Sequence, residues 1–316
     1  MSYAQFGIVE ATDFNTLVGG DPTSTANTLN AMWATGSGQG GYGQTAVGNV
    51  AAGQVVAATN WASLVNSTSN AALHQGSSIT SVTAPVAGGL VTFISAIPTN
   101  LQTTWGSRGN AAAQGSTSAN AIATASTWTS TATWTHTITF ANGDAARYFF
   151  NSGGQIKMTA SHSNTDPGVN AALATLCTAT GTVVLSGQNS GSRTIASVAY
   201  NGVTKIGGSG SPETLSTNSG YFGLTTGNTT VFDQNSGTSP YTTLMDLQYI
   251  ARTNGVQGSN GDNGTVVTVF TLMRETGANG TVGTGTTVTC TLTPPATTFI
   301  ANTWGTVTLA GSVTVS

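Results

Sequence analysis

Three histidines, two cysteines and ten carboxylates are this chain's main stock of groups for acid–base, nucleophilic or metal chemistry. His74 closes "NAALHQGSS" at the end of a helical pattern, where an imidazolium suits the last carbonyls, so its role reads as structural. His136 lies beside Trp134 on the apolar face of "TATWTHTITF" and reads as a hydrogen-bonded core histidine. His162 stands just beyond "QIKMTA". No Ser–His–Asp order can be selected from so many serines, and no G-x-S-x-G elbow occurs. No carboxylate pair for glycosidic cleavage is evident in the sequence, although two distant carboxylates would still allow a depolymerase. Cys177 and Cys290 are far apart and read as buried free thiols packing as small apolar groups; a disulfide or a metal site is the lesser alternative.

Two glycine-rich strings resemble binding loops. "GSGQGG" (Gly36–Gly41) has the spacing G-x-G-x-x-G, but a dinucleotide site needs a strand before it and a helix directly after. Here a helical pattern precedes it and "YGQTAVGNV" follows, so the match is one of composition. "GSNGDNG" (Gly258–Gly264) gathers Asn260, Asp262 and Asn263, but a calcium loop needs several carboxylates. It reads as a hairpin loop between "LQYIAR" and "TVVTVF". No cofactor and no metal is expected.

The elements that would position these groups change character along the chain. "TDFNTLVGG" and "DPTSTANTLNAMW" carry short helical patterns. Thr12 or Asp13 is the expected cap of the first, with Gly19-Gly20 as its stop. Between Ala57 and His74, the residues Trp61, Leu64, Val65, Thr68 and Ala72 share one helical face, with Gly76 as the stop. "LVTFISAI" (Leu90–Ile97) fits either a buried strand or a short helix, and another short helix is expected near Asn100–Trp105. "AAAQGSTSANAIATAST" reads as a linker or a thin packed element. From Thr131 the period becomes two, and "TATWTHTITF" alternates inward Trp134, His136, Ile138 and Phe140 with threonines. An Asn-Gly turn in "ANGD", a strand over "ARYFF", a turn at "NSGG" and a strand over "QIKMTA" would make a meander. One helix, "GVNAALATLCTATG", with Asn170 as its possible cap, and a series of short strands complete the pattern. The expected fold is mainly β, an antiparallel β-sandwich over residues 127–316, preceded by a small helical attachment region over residues 1–126.

Only 5% of residues are charged, against about 25% in ordinary domains. Seven basic residues and a net charge of −3 leave no footprint for nucleic acid. No stretch approaches the roughly 18 apolar residues of a membrane span, and the N-terminal "MSYAQFGIVEATDFN" lacks the pattern of an export signal. A hydroxyl- and amide-rich surface with so little charge suits a permanent assembly, where neighbours cover it.

Two blocks carry a resemblance. "GYGQTAVGNVAAGQVVAATNWASLVNSTSNAALHQGSSI" (Gly41–Ile79), with Gly41-Tyr42-Gly43-Gln44, Trp61, Leu64 and His74-Gln75-Gly76, resembles an N-terminal block of structural proteins of tailed bacteriophages, notably cyanophage-like ones. "RYFFNSGGQIKM" (Arg147–Met158) resembles their second block. The resemblance implies a virion component, tail-fibre or baseplate in type, assembled in the host cytoplasm and bringing no catalytic residues. The expected partners are other virion proteins and further copies of the chain, a trimer being favoured, with a host surface glycan as a possible ligand. A capsid decoration protein, a glycan-binding module and a glycan-cleaving enzyme are the rival readings. Trp61, Leu64 and Val65 are the expected docking stripe, facing either the β domain or a neighbouring particle protein. Phe149, Phe150, Asn151, Gly153 and Gly154 are the expected structural turn, with aromatics anchoring a strand and glycines allowing positive φ.

Overall fold

The computed structural model describes residues 10–19, 28–89, 91–92, 95–277 and 280–316. Residues 1–9 of the N-terminal string, Gly20 of the first expected stop, 21–27 of the second helical pattern, and Leu90, Phe93 and Ile94 of "LVTFISAI" lie outside them. Four helices come first: α1 (Ala11–Val18), α2 (Leu29–Trp33), α3 (Ala58–Gln75) and α4 (Ala96–Gly106). The cap of α1 is Glu10 rather than Thr12 or Asp13, while Gly19 closes it at φ 96°. Asn60 accepts the Ala57 amide at the start of α3, and Gly76 ends that helix at φ 71°.

The rest is β1 (Ser118–Ala123), β2 (Thr131–Thr139), α5 (Gly143–Asn151), β3 (Gln155–His162), α6 (Val169–Thr180), β4 (Thr182–Leu185), β5 (Arg193–Ile195), β6 (Val198–Tyr200), β7 (Val203–Ile206), β8 (Thr214–Leu215), β9 (Thr229–Asn235), β10 (Met245–Thr253), β11 (Val266–Glu275), β12 (Thr286–Thr293) and β13 (Thr308–Val315). One sheet runs β1-β12-β3-β4-β7 and the other β13-β2-β11-β10-β9-β8, with β5-β6 a separate hairpin. Every strand pair in them is antiparallel. The mainly β, sandwich-type architecture expected from the period-two runs is present.

The inner faces follow the alternation in the sequence. Trp134, His136 and Ile138 of β2 are buried while the threonines between them are half-exposed. Ile156 and Met158 of β3, and Val288, Cys290 and Leu292 of β12, are buried in the facing sheet. Helix α6 packs on β3 of one sheet and on β9 and β10 of the other. It buries Val169, Leu173, Leu176 and Cys177, the stripe expected from its sequence. Its cap is Gly168 rather than Asn170; the Asn170 side chain instead accepts from the Gly283 amide and sits 3.0 Å from His162 Nε2. Cys177 and Cys290 are both free and buried, and burial pushes each thiol up to about 12.

Two expectations are corrected. "ARYFF" is not a strand, and the meander does not form. Asn142 accepts the Ala145 amide at 2.8 Å and caps α5, and Ala145, Ala146, Phe149 and Phe150 fall on one buried helical face. The aromatics fit either element by propensity; the cap and the i, i+4 spacing select the helix. Strands β2 and β3 therefore lie in different sheets, and α5 is the crossover between them. The second concerns "SANAIA", in the stretch read as a linker or a thin packed element: it is not a linker but the edge strand β1, paired with β12 along its length.

The 126/127 division falls between β1 and the remaining strands of its own sheet. One hydrophobic cluster runs from Phe14, Trp61, Leu64 and Val65 of the helical region to Trp134, Phe149 and Trp304 of the β region. No helix among the described residues is long and apolar enough to cross a membrane.

Candidate functional site

The glycine-rich string, His74 and the block Arg147–Gly154 meet at one junction, where the helical region abuts α5 and the turn after it. Asn151, the last residue of α5, is fully buried. Its Nδ2 donates to the carbonyl of Gly40 at 2.8 Å and to those of Gly38 and Gly41 at 3.1 Å each. Arg147, one turn earlier and also fully buried, donates to the Gly40 carbonyl at 3.0 Å and pairs with Asp144 at 2.8 Å. The glycine-rich string that mimics a dinucleotide loop is thus a ligand of the chain's own side chains. A Cβ on Gly43 would lie 2.4 Å from the Tyr148 ring, so only glycine lets the loop approach α5 this closely.

The turn behind α5 is held from the other side. His74 at the end of α3 donates from Nε2 to the Ser152 carbonyl at 3.0 Å. It is buried in T-shaped contact with the Tyr42 ring, 5.3 Å between centroids, and burial pushes its pKa down to about 4. His74 is therefore neutral at physiological pH and bonds a carbonyl of the turn, not the last carbonyls of its own helix as an imidazolium. Gly153 has φ 96°, as the turn reading requires, whereas Gly154 is not in the positive-φ region. Gly154 is small for another reason: a Cβ there would lie 2.5 Å from the Phe149 ring and 2.6 Å from the Phe149 carbonyl oxygen. Phe149 and Phe150 are buried edge-to-face, 5.1 Å between centroids, and Phe150 stacks on Tyr221 at 4.2 Å.

A polar cleft of about 80 Å³ opens beside this junction, lined by residues including Gln39, Arg108, Asn110, Gln188, Ser192 and Arg193. Arg193 is buried. It donates to the Phe150 carbonyl at 2.8 Å, to Gln39 Oε1 at 3.1 Å and to Gln188 Oε1. Arg108 is half-buried over the Trp105 ring and donates to the carbonyls of Gln39 and Trp105. Burial lowers the Arg193 pKa to about 10, helped by the Arg108 charge and opposed by Tyr42, which leaves it cationic at neutral pH. Neither arginine has a carboxylate partner among the described residues. Sequence reasoning missed this cleft, because Arg108, Arg193 and Gln39 are isolated in the chain and carry no shared spacing.

The other candidates are placed as follows. Trp61, Leu64 and Val65 are buried within the chain, with Phe14 edge-on to Trp61 at 5.2 Å. All three belong to the chain's own hydrophobic cluster. His136 is fully buried on β2, and burial lowers its pKa. His162 is the last residue of β3, bonded to Thr286 and Asn170. "GSNGDNG" lies in the β10–β11 hairpin loop, where Asn263 accepts the Val256 amide. Among the described residues no group of three or more His, Cys, Asp or Glu could hold a metal ion.

No protein-family model, curated protein or solved structure matches this chain.

Proposed function

We propose that this protein is a non-enzymatic structural component of a phage particle, tail-associated as a baseplate or fibre protein, and built from several copies of the chain with a trimer favoured. The observation that supports this reading most is the contact between the two blocks that resemble phage structural proteins. They are separated by about 70 residues, yet Gly43 meets Tyr148, His74 bonds the Ser152 carbonyl, and Gly41 accepts from Asn151. Residues that pack on one another constrain one another, so two resembling strings that form one packed unit count for more than two separate strings. The polar side chains at that junction are engaged in holding backbone, which is the chemistry of a scaffold.

The test is gold-labelled antibody against the protein, imaged in negative stain on purified particles of the phage that encodes it. Label on tails is expected. Label on capsids would replace the tail assignment with a decoration role, and particles free of the protein would overturn the reading. Sedimentation of the purified chain is expected to show a homo-oligomer; a stable monomer at micromolar concentration would remove the oligomeric part.

A further inference from the structure

The cleft beside the junction has an unusual balance of hydrogen-bonding groups. Its side-chain acceptors are already engaged: Gln39 Oε1 and Gln188 Oε1 by Arg193, and Asn110 Oδ1 by the Thr194 amide at 2.8 Å. The groups of the lining that have no hydrogen-bond partner among the described residues are mainly donors. Arg193 uses three of its five N–H groups, and Arg108 uses two. The amide nitrogens of Asn110 and Gln39 and the Ser192 hydroxyl add to them. Two of the chain's seven basic residues meet here without an acid, although like charges repel and a buried cation is costly unless paired. The volume exceeds the roughly 10–15 Å³ that one water requires, and it suits a group of three to five heavy atoms.

We propose that this cleft is a binding site for a small oxyanion group, a carboxylate, sulfate or phosphate, gripped by Arg108 and Arg193 with Asn110, Gln39 and Ser192 completing its hydrogen bonds. Guanidinium forks match the paired oxygens of such groups. The proposal does not depend on the particle assignment, because a free anion tests it in the isolated chain.

The experiment is isothermal titration calorimetry of the full chain with sodium sulfate, sodium phosphate and methyl glucuronide, each at ionic strength matched with sodium chloride. Saturable binding at one site per chain is expected for at least one of them. Arg108→Gln should weaken it about tenfold or more, the loss of one charge-assisted hydrogen bond, and Arg108→Lys should weaken it less. Arg252→Gln, on a strand away from the cleft, should leave it unchanged. Binding of the glucuronide with sulfate and phosphate silent would assign the site to an acidic sugar; tighter sulfate or phosphate would assign it to an inorganic oxyanion or its ester. No saturable heat with any of the three, or affinity unaltered in both Arg108 variants, would overturn the proposal.

Discussion

His74 Nε2 stands 3.0 Å from the carbonyl oxygen of Ser152, 78 residues further along the chain, and this bond fastens the end of α3 to the turn between α5 and β3. The imidazole is buried and its pKa is pushed down to about 4 from 6.5. Unfolded, His74 takes up a proton near pH 6.5; folded, it resists until about 4. A depressed folded pKa means stability that is complete above 6.5 and is lost as pH falls toward 4, on the order of 3 kcal/mol over that window. Burial lowers His136 and His162 in the same direction. The melting temperature is therefore expected to fall steeply between pH 6.5 and 4. In His74→Gln the midpoint should be lower at pH 8 and the slope shallower, which thermal scans across pH measure directly.

Gly153→Val and Gly154→Val are both expected to destabilise, for different reasons. At Gly153 the new Cβ meets Ala111 Cβ at 2.6 Å and φ is 96°. At Gly154 the Cβ meets Phe149. Each should cost about 1–3 kcal/mol or more. Gly53→Ala is the control, since Gly53 has φ 79° and nothing within 4 Å of a Cβ; it should show the backbone term alone. Urea midpoints that rank Gly53→Ala as costly as the other two would refute the packing argument.

Asn151 offers two N–H hydrogens to three carbonyls of the glycine loop. Asn151→Ala removes this donor from the Gly38 and Gly41 carbonyls and leaves Gly40 with Arg147 alone, which should cost about 1–3 kcal/mol. Asn151→Asp should be worse, because a buried carboxylate would face carbonyl oxygens. Chemical denaturation at pH 7.5 gives the order, and an aspartate variant as stable as wild type would mean that the loop is held by other groups.

A chain beginning at Thr127 would lose β1 from the edge of β12, His74 from Ser152 and the glycine loop from Asn151. It would also expose apolar surface now covered by the helical region. It is expected to be insoluble or loosely packed, with no cooperative melt by near-ultraviolet circular dichroism. A cooperative transition close to that of the full chain would establish residues 127–316 as an independent folding unit.

The sequence by itself determined the elements whose signal is local. The alternation of "TATWTHTITF" places Trp134 and His136 on one face, the stripe of α6 follows from period 3.6, and Gly19 and Gly76 stop their helices where left-handed backbone is needed. Only the tertiary structure decided the rest. The aromatics of "RYFF" suit strand or helix equally, and the Asn142 cap together with the i, i+4 spacing of the buried residues selected the helix. "SANAIA" has weak propensity and became a strand because β12 presents an unpaired edge to it. The stripe of Trp61, Leu64 and Val65 marks a buried face in the sequence, but which surface covers it depends on partners remote in the chain. The arginine cleft had no sequence signature at all. Arg108 and Arg193 are 85 positions apart, and a hydrogen-bonding environment assembled from such distant residues exists only once the chain has closed on itself.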